Sequence, residues 1–209
     1  MTTDAKFWDN IADKYAASPV KNLTAFERKQ AITREHLRPD SNVLEIGCGT
    51  GSLALTLSAY VGHIHAIDFS AEMLRIATGK QKAQGVSNVT FHQGTLDNAA
   101  HFEPESFDCA LAFSILHLVP DRTRVLRRIW ELLEPGGSFI SSNACLGDPW
   151  VPYGLLISVM RLFGKAPIVH IYKRETIMRE MREAGFTEVQ EHDVGAERMM
   201  AFIVARKPG

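Results

Sequence analysis

The stretch Val43-Leu44-Glu45-Ile46-Gly47-Cys48-Gly49-Thr50-Gly51 decides the fold. Val43, Leu44 and Ile46 form a short apolar run that Gly47 ends, which reads as a buried strand. Glycines at 47, 49 and 51 follow, and Ser52-Leu53-Ala54-Leu55-Thr56-Leu57 then reads as a helix. Strand, glycine turn and helix make the first βα unit of a doubly wound sheet. Such a turn is tight and lets a ligand approach the backbone where no Cβ stands in the way. The helix N-terminus offers it free N–H groups. Glycines alone are not selective. The frame Gly49-Thr50-Gly51-Ser52-Leu53-Ala54 also fits G-x-G-x-x-A, which leaves a nicotinamide oxidoreductase open. Glu45 narrows the reading. An unpartnered carboxylate in an apolar strand costs roughly several kcal/mol, so it meets either a cation at a sheet edge or ligand and backbone donors.

Upstream, Phe7, Ile11 and Tyr15 recur at helical spacing beside Trp8 and Ala12, and Pro19 limits that helix. Thr24 with Glu27 fits a capping box for a second helix over 25–37. Downstream, 64–68 reads as a strand ending in Asp68, and Ser70 as the cap of the next helix. Strands follow over 88–93 and 106–113, the latter nearly all apolar as befits a central parallel strand. Asp121 caps a helix reaching about 133, and Glu134-Pro135-Gly136-Gly137 reads as a turn into a strand over 138–144. A helix over 173–184, closed by Gly185, precedes two strands over 187–193 and 199–205 joined by Gly195. The architecture is α/β, a doubly wound and mostly parallel sheet with a C-terminal antiparallel hairpin.

The motif V-L-E-I-G-C-G-T-G resembles motif I of the class I S-adenosylmethionine-dependent methyltransferases. The resemblance continues through Asp68, Phe107 and Asp121 to Leu133-Glu134-Pro135-Gly136-Gly137, and so covers most of the chain. It implies a seven-stranded sheet whose last two strands are the closing hairpin, an arrangement unlike that of a plain dinucleotide fold. It also implies S-adenosylmethionine as methyl donor, with S-adenosylhomocysteine as product. Glu45, Gly47, Cys48, Gly49 and Gly51 would surround the donor, Asp68 would accept from its ribose hydroxyls, and Phe69 would lie against adenine. Met73 is core or pocket edge, and Phe113 and Ser114 would stand close to the donor. Many members carry Gly-Asp after the third strand, whereas this chain has Gly94-Thr95. Thr95 and the Leu96 N–H would then serve the adenine, with Asp97 a neighbouring acid. The helices of 1–40 would cover the donor pocket.

Methyl transfer from a sulfonium is an in-line displacement, so positioning and a dry site matter most and no metal is required. A base is needed only for a hydroxyl or protonated amine. His117, past the fourth strand at the ligand edge, is the first candidate; its bland alternative is a packed ring. His170 and Tyr172 are comparable, and Tyr15 carries a hydroxyl on an otherwise apolar face. Asn143 and Cys145 line the acceptor side. The connection 146–172 is long for a compact domain. It reads as a helix packed on its own domain or a second subunit, as a lid that shapes an apolar acceptor pocket, or as a patch, over 150–163, that touches a membrane.

At 209 residues, 45% hydrophobic and 22% charged, with a net charge of −1, the chain reads as one soluble domain over 1–209. The charge gives no reason to expect nucleic acid. Arg122, Arg124, Arg127 and Arg128 crowd one segment flanked by Asp121, Glu131 and Glu134, and read as a solvated helix face. Cys48, Cys109 and Cys145 form no zinc or disulfide pattern, which fits a cytoplasmic setting. No secretory leader or membrane-spanning run is visible. The reading is methyl transfer to a small or lipid-like acceptor by a monomer or homodimer. The alternatives are the oxidoreductase and a non-catalytic donor-binding module.

Overall fold

The computed structural model describes residues 3–98, 100–149, 151, 153–163 and 166–209, and within these not the side chains of residues 3, 4 and 155. Seven strands form one sheet in the order β3-β2-β1-β4-β5-β7-β6. They are β1 (Asn42–Ile46), β2 (His63–Asp68), β3 (Val89–Gln93), β4 (Phe107–Phe113), β5 (Leu133–Ala144), β6 (Thr187–His192) and β7 (Met200–Arg206). β1 to β5 pair in parallel, while β7 runs antiparallel to both β5 and β6. The helices are α1 (Thr3–Ala17), α2 (Leu23–Glu35), α3 (Ser52–Leu57), α4 (Ala71–Gln84), α5 (Arg122–Leu132), α6 (Tyr153–Leu162) and α7 (Arg174–Glu183).

The inner strands are buried on both faces, so their residues are apolar without alternation. On one face Leu44, Ile46, Ala110 and Phe139 pack with Leu126 and Ile129 of α5 and Ile177 of α7. On the other, Val43, Cys109, Leu111 and Ile140 pack with Leu53 and Leu57 of α3, and Ile32 of α2 lies against them. Cys48, Cys109 and Cys145 are free thiols within this interior. Among the described residues no helix is long and apolar enough to cross a membrane.

Three local features differ from the sequence reading. The cap of α2 is Asn22, whose side chain accepts from the Ala25 N–H at 2.9 Å, in place of Thr24. The 134–137 stretch is not a turn before β5 but an irregularity inside it: Phe107 pairs with Leu133 and Cys109 with Ser138. Two residues on β4 thus face five on β5, and Gly136, at φ +78°, supplies the backbone conformation that such a bulge needs. The arginines of α5 are not all solvated. Arg122 makes a bidentate pair with Glu180 of α7, both N···O distances being 2.9 Å, with both side chains largely buried.

Candidate active site

β1, β2 and β4 end side by side, and a groove opens over their C-terminal edge. Trp8, Tyr15, Gly47, Gly49, Asp68, Phe69, Met73, Phe113, Ser114, Ile115 and Leu118 line it. The turn after β1 is strapped to β2: the N–H groups of Gly47 and Cys48 both donate to the Ile67 carbonyl, at 2.8 and 2.9 Å. The two glycines on the groove then play different parts. A Cβ on Gly47 would strike Ile115 at 2.6 Å, so this glycine admits a neighbouring side chain. A Cβ on Gly49 would meet only Tyr15, at 4.0 Å, although Gly49 also has a positive φ of +53°. The space beside Gly49 is open to a ligand.

Asp68 closes the turn. Its Oδ2 accepts from the Gly49 N–H at 2.8 Å and its Oδ1 from the Ser70 N–H at 2.9 Å. Burial raises its pKa, and the N–H bonds from Ser70, Gly49 and Phe69 act against that rise. Each oxygen keeps lone pairs for hydroxyl donors on the groove side. Glu45 is 3% exposed and its Oε2 has no partner among the described residues. Burial, with the Asp68 charge second, pushes its pKa up to about 8, against a bond from the Ala54 N–H. Tyr15, half exposed as a whole, has its pKa raised as well, by desolvation at the groove and then by the charges of Asp68 and Glu45.

α1 reaches the groove through a contact that no local sequence pattern signals. The Asp9 carboxylate accepts from Ser70 Oγ at 2.6 Å and from the Glu72 N–H at 3.2 Å, while Ser70 Oγ itself accepts from the Met73 N–H. Asp9 therefore adds a second cap to α4, and Asp13 pairs with Arg75 one turn on, at 3.1 Å. Trp8 and Tyr15, edge to face with centroids 6.3 Å apart, are held over the turn by this tether. Ile115 and Leu118 also line the groove; their only signal in the sequence was that they follow a buried strand.

Of the donor-side candidates, Gly47, Gly49, Asp68, Phe69, Met73, Phe113 and Ser114 meet in the groove. Ser114 adopts φ +56°, rare for a residue with a side chain, and its N–H donates to the Ser142 carbonyl at 2.7 Å. Gly51 packs on Phe91 and Ala77, and Cys48 is buried behind the turn. Thr95 bonds to Asn98 through its N–H and its hydroxyl, and Leu96 is core. Neither lines the groove.

The catalytic candidates lie elsewhere, apart from Tyr15. The His170 N–H donates to the His117 carbonyl at 2.7 Å. His117 Nδ1, His170 Nε2, Tyr172 Oη and Asn143 Oδ1 are buried without a partner among the described residues. Burial lowers the His117 pKa to about 4, so its ring is neutral near neutral pH. Tyr172 is buried beneath the Arg122 guanidinium, 4.3 Å from its ring centroid, with its pKa raised mainly by burial. The segment that carries His170 and Tyr172 leaves and returns at one point: the Gly147 N–H donates to the Tyr172 carbonyl at 2.9 Å. Between those ends α6 exposes Leu156, Val159 and Leu162, the last 84% exposed, and Phe163 after it is 72% exposed. Trp150, Pro152 and the side chain of Leu155 lie outside the described residues.

A methyltransferase-domain family model matches residues 37–193. A demethylmenaquinone methyltransferase of Staphylococcus aureus is 30% identical over 212 residues, covering 88% of this chain and 85% of its own. Among solved structures, the YcgJ protein of Bacillus subtilis superposes with a TM-score of 0.72 at 18% identity, over 88% of this chain and 99% of that one. A Haemonchus contortus phosphoethanolamine N-methyltransferase in complex with S-adenosyl-L-methionine gives a TM-score of 0.73 at 17% identity, over 88% of this chain and 53% of that one.

Proposed function

The chain belongs to the class I S-adenosylmethionine-dependent methyltransferases, and from that premise we propose how its residues divide the work and what they act on. It transfers a methyl group from S-adenosylmethionine to a small molecule, which sets aside both the nicotinamide reading and that of a non-catalytic module. One observation carries the assignment of the site: the open space beside Gly49 is bounded by the Asp68 carboxylate, the Phe69 ring and Tyr15. A nucleoside fits that set, with ribose hydroxyls donating to Asp68 and adenine against Phe69. The unpartnered Oε2 of Glu45 favours a cationic group near it.

When bound, S-adenosylmethionine supplies an electrophilic methyl group on a positively charged sulfur. The protein aligns the acceptor with that methyl and keeps water away, which is worth several kcal/mol by rough account. Phe113, Ile115 and Leu118 provide the dry wall. His117, neutral near neutral pH, accepts a hydrogen bond at Nδ1 from an acceptor hydroxyl. Tyr15 orients the donor from above.

The acceptor in this proposal is a lipid-like quinol, as the name of the Staphylococcus aureus relative suggests. The 146–172 segment is its lid. From 149 to 174 the sequence holds no acidic residue but has Arg161, Lys165, Lys173 and Arg174 among its apolar residues. Such a segment suits the surface of an anionic membrane, where basic groups meet lipid headgroups and an apolar face enters the acyl boundary. Calorimetry with S-adenosylhomocysteine tests the donor site. Asp68→Ala should weaken binding by about 1–3 kcal/mol, the scale of hydrogen bonds to a charged group. Unchanged affinity in a folded variant refutes the ribose assignment. Co-sedimentation with phosphatidylglycerol vesicles, lost in Leu162→Asp/Phe163→Asp, tests the membrane contact.

A further inference from the structure

Lys29 of α2 is a half-buried ammonium whose one bond goes to a hydroxyl: its Nζ donates to Ser142 Oγ at 2.8 Å. Among the described residues Lys29 forms no ion pair with a carboxylate, and burial lowers its pKa. Ser142 is 1% exposed and pairs in the sheet with Phe113 on one side and Phe202 on the other. Those two rings meet edge to face at 5.7 Å. A cation in such a setting is left short of counter-charge, which a folded protein tolerates where something anionic is to be bound.

The groove is one residue away. Phe113 and Ser114 line it, and the Ser114 N–H is held by the Ser142 carbonyl at 2.7 Å. Strand register sets a second charge on the same sheet face. Glu45 pairs with Leu111, two residues before Phe113, and its Oε2 is unpartnered. A carboxyl group and an ammonium, neither paired with an opposite charge among the described residues, thus lie on one sheet face beside β4.

We propose that Lys29 binds an anionic oxygen of a ligand in this groove. Two sources share that chemistry: the α-carboxylate of the methyl donor, whose ammonium then faces Glu45, and an ionised oxygen of the acceptor. The inference rests on the donor reading of the groove. On binding, Lys29 turns from Ser142 Oγ to the ligand, and Ser142 serves only to hold it at rest.

The test measures affinity in Lys29→Met, using S-adenosylhomocysteine, which carries the carboxylate, and 5′-methylthioadenosine, which lacks the amino-acid end. If the donor supplies the anion, the first weakens about ten- to hundred-fold and the second is unchanged. If the acceptor supplies it, both ligands bind normally. The KM for reduced 1,4-naphthoquinone then rises by a similar factor and its alkaline limb shifts, while Lys29→Arg restores it. Ser142→Ala keeps the charge and so keeps S-adenosylhomocysteine affinity. Lys29→Met, freed of a buried charge, unfolds at no lower urea concentration than the wild type. Normal affinities together with a normal KM in Lys29→Met, or a large loss of stability in Lys29→Met or Ser142→Ala, overturn the proposal in favour of a structural latch. A wild-type protein that binds neither nucleoside removes the donor reading, and the proposal with it.

Discussion

Glu45→Gln isolates the most perturbed buried carboxyl in the site while keeping its shape. Burial beside Asp68 moves the Glu45 pKa from 4.5 to about 8. A folded state that holds a proton more tightly than the unfolded chain has its full stability below the unfolded value and loses it as the pH rises through the folded one. One pKa unit corresponds to about 1.4 kcal/mol. Across this window the loss is about 1 kcal/mol by pH 5, about 3 by pH 7 and about 4 by pH 8. Glutamine does not titrate, so the stability of Glu45→Gln relative to wild type should climb by about 2–3 kcal/mol between about pH 5 and 7. In a domain of this size that is roughly 5–10 °C in Tm. Urea unfolding followed by circular dichroism across this range, with both proteins in the same buffers, measures the difference and cancels every other titrating group. A difference that stays constant with pH refutes the reasoning. S-adenosylhomocysteine affinity should fall in the same variant, since a ligand α-ammonium beside Glu45 would favour its ionised form and glutamine offers no charge to it.

Gly49→Val should abolish donor binding, because its side chain would enter the open space beside the turn and a branched residue is strained at φ +53°; normal calorimetric binding by a folded variant would place the donor elsewhere. Hydrogen exchange at 156–163 should be fast in the free protein and slow with S-adenosylhomocysteine and acceptor together. Slow exchange in both states leaves α6 a structural helix. His65→Gln should flatten the acid limb of stability. Burial, and then the neighbouring His63 and His92, lower the His65 pKa to about 4, so the wild type loses stability as the pH falls from about 6.5 toward 4. An unchanged acid limb in urea titrations refutes the cause.

The sequence made legible whatever depends on near neighbours. The run from Val43 to Leu57 carries strand, turn and helix within fifteen residues, and the structure pairs that strand with β2 and β4 at the heart of the sheet. Asp68 could be read from its place at a strand end. What could not be read is set by residues far apart in the chain. Asp9 caps a helix 62 residues on, at Ala71, and no local pattern distinguishes it from any exposed acid of α1. Lys29 meets Ser142 across 113 residues, and Arg122 meets Glu180 across 58. The α2 cap is ambiguous for another reason: Asn22 and Thr24 both have capping side chains, and the helix begins at Leu23, which leaves Thr24 inside it. The bulge in β5 reads as a turn because Pro135-Gly136-Gly137 supplies turn residues, which a strand can also use to absorb surplus length.

The bond from the Gly147 N–H to the Tyr172 carbonyl makes the stretch between them a closed loop on the rim of the sheet. Closing a longer or shorter loop at the same two points changes the free energy only slowly with length. β5 and α7 therefore keep their register whatever the chain does in between. If the stretch is the acceptor lid, its length and sequence can change between those two anchors, provided that the bond from the His170 N–H to the His117 carbonyl beside the groove is kept. A graft of the corresponding loop from another member of the family, joined at Gly147 and Tyr172, is the unit in which acceptor preference should move from one enzyme to the next.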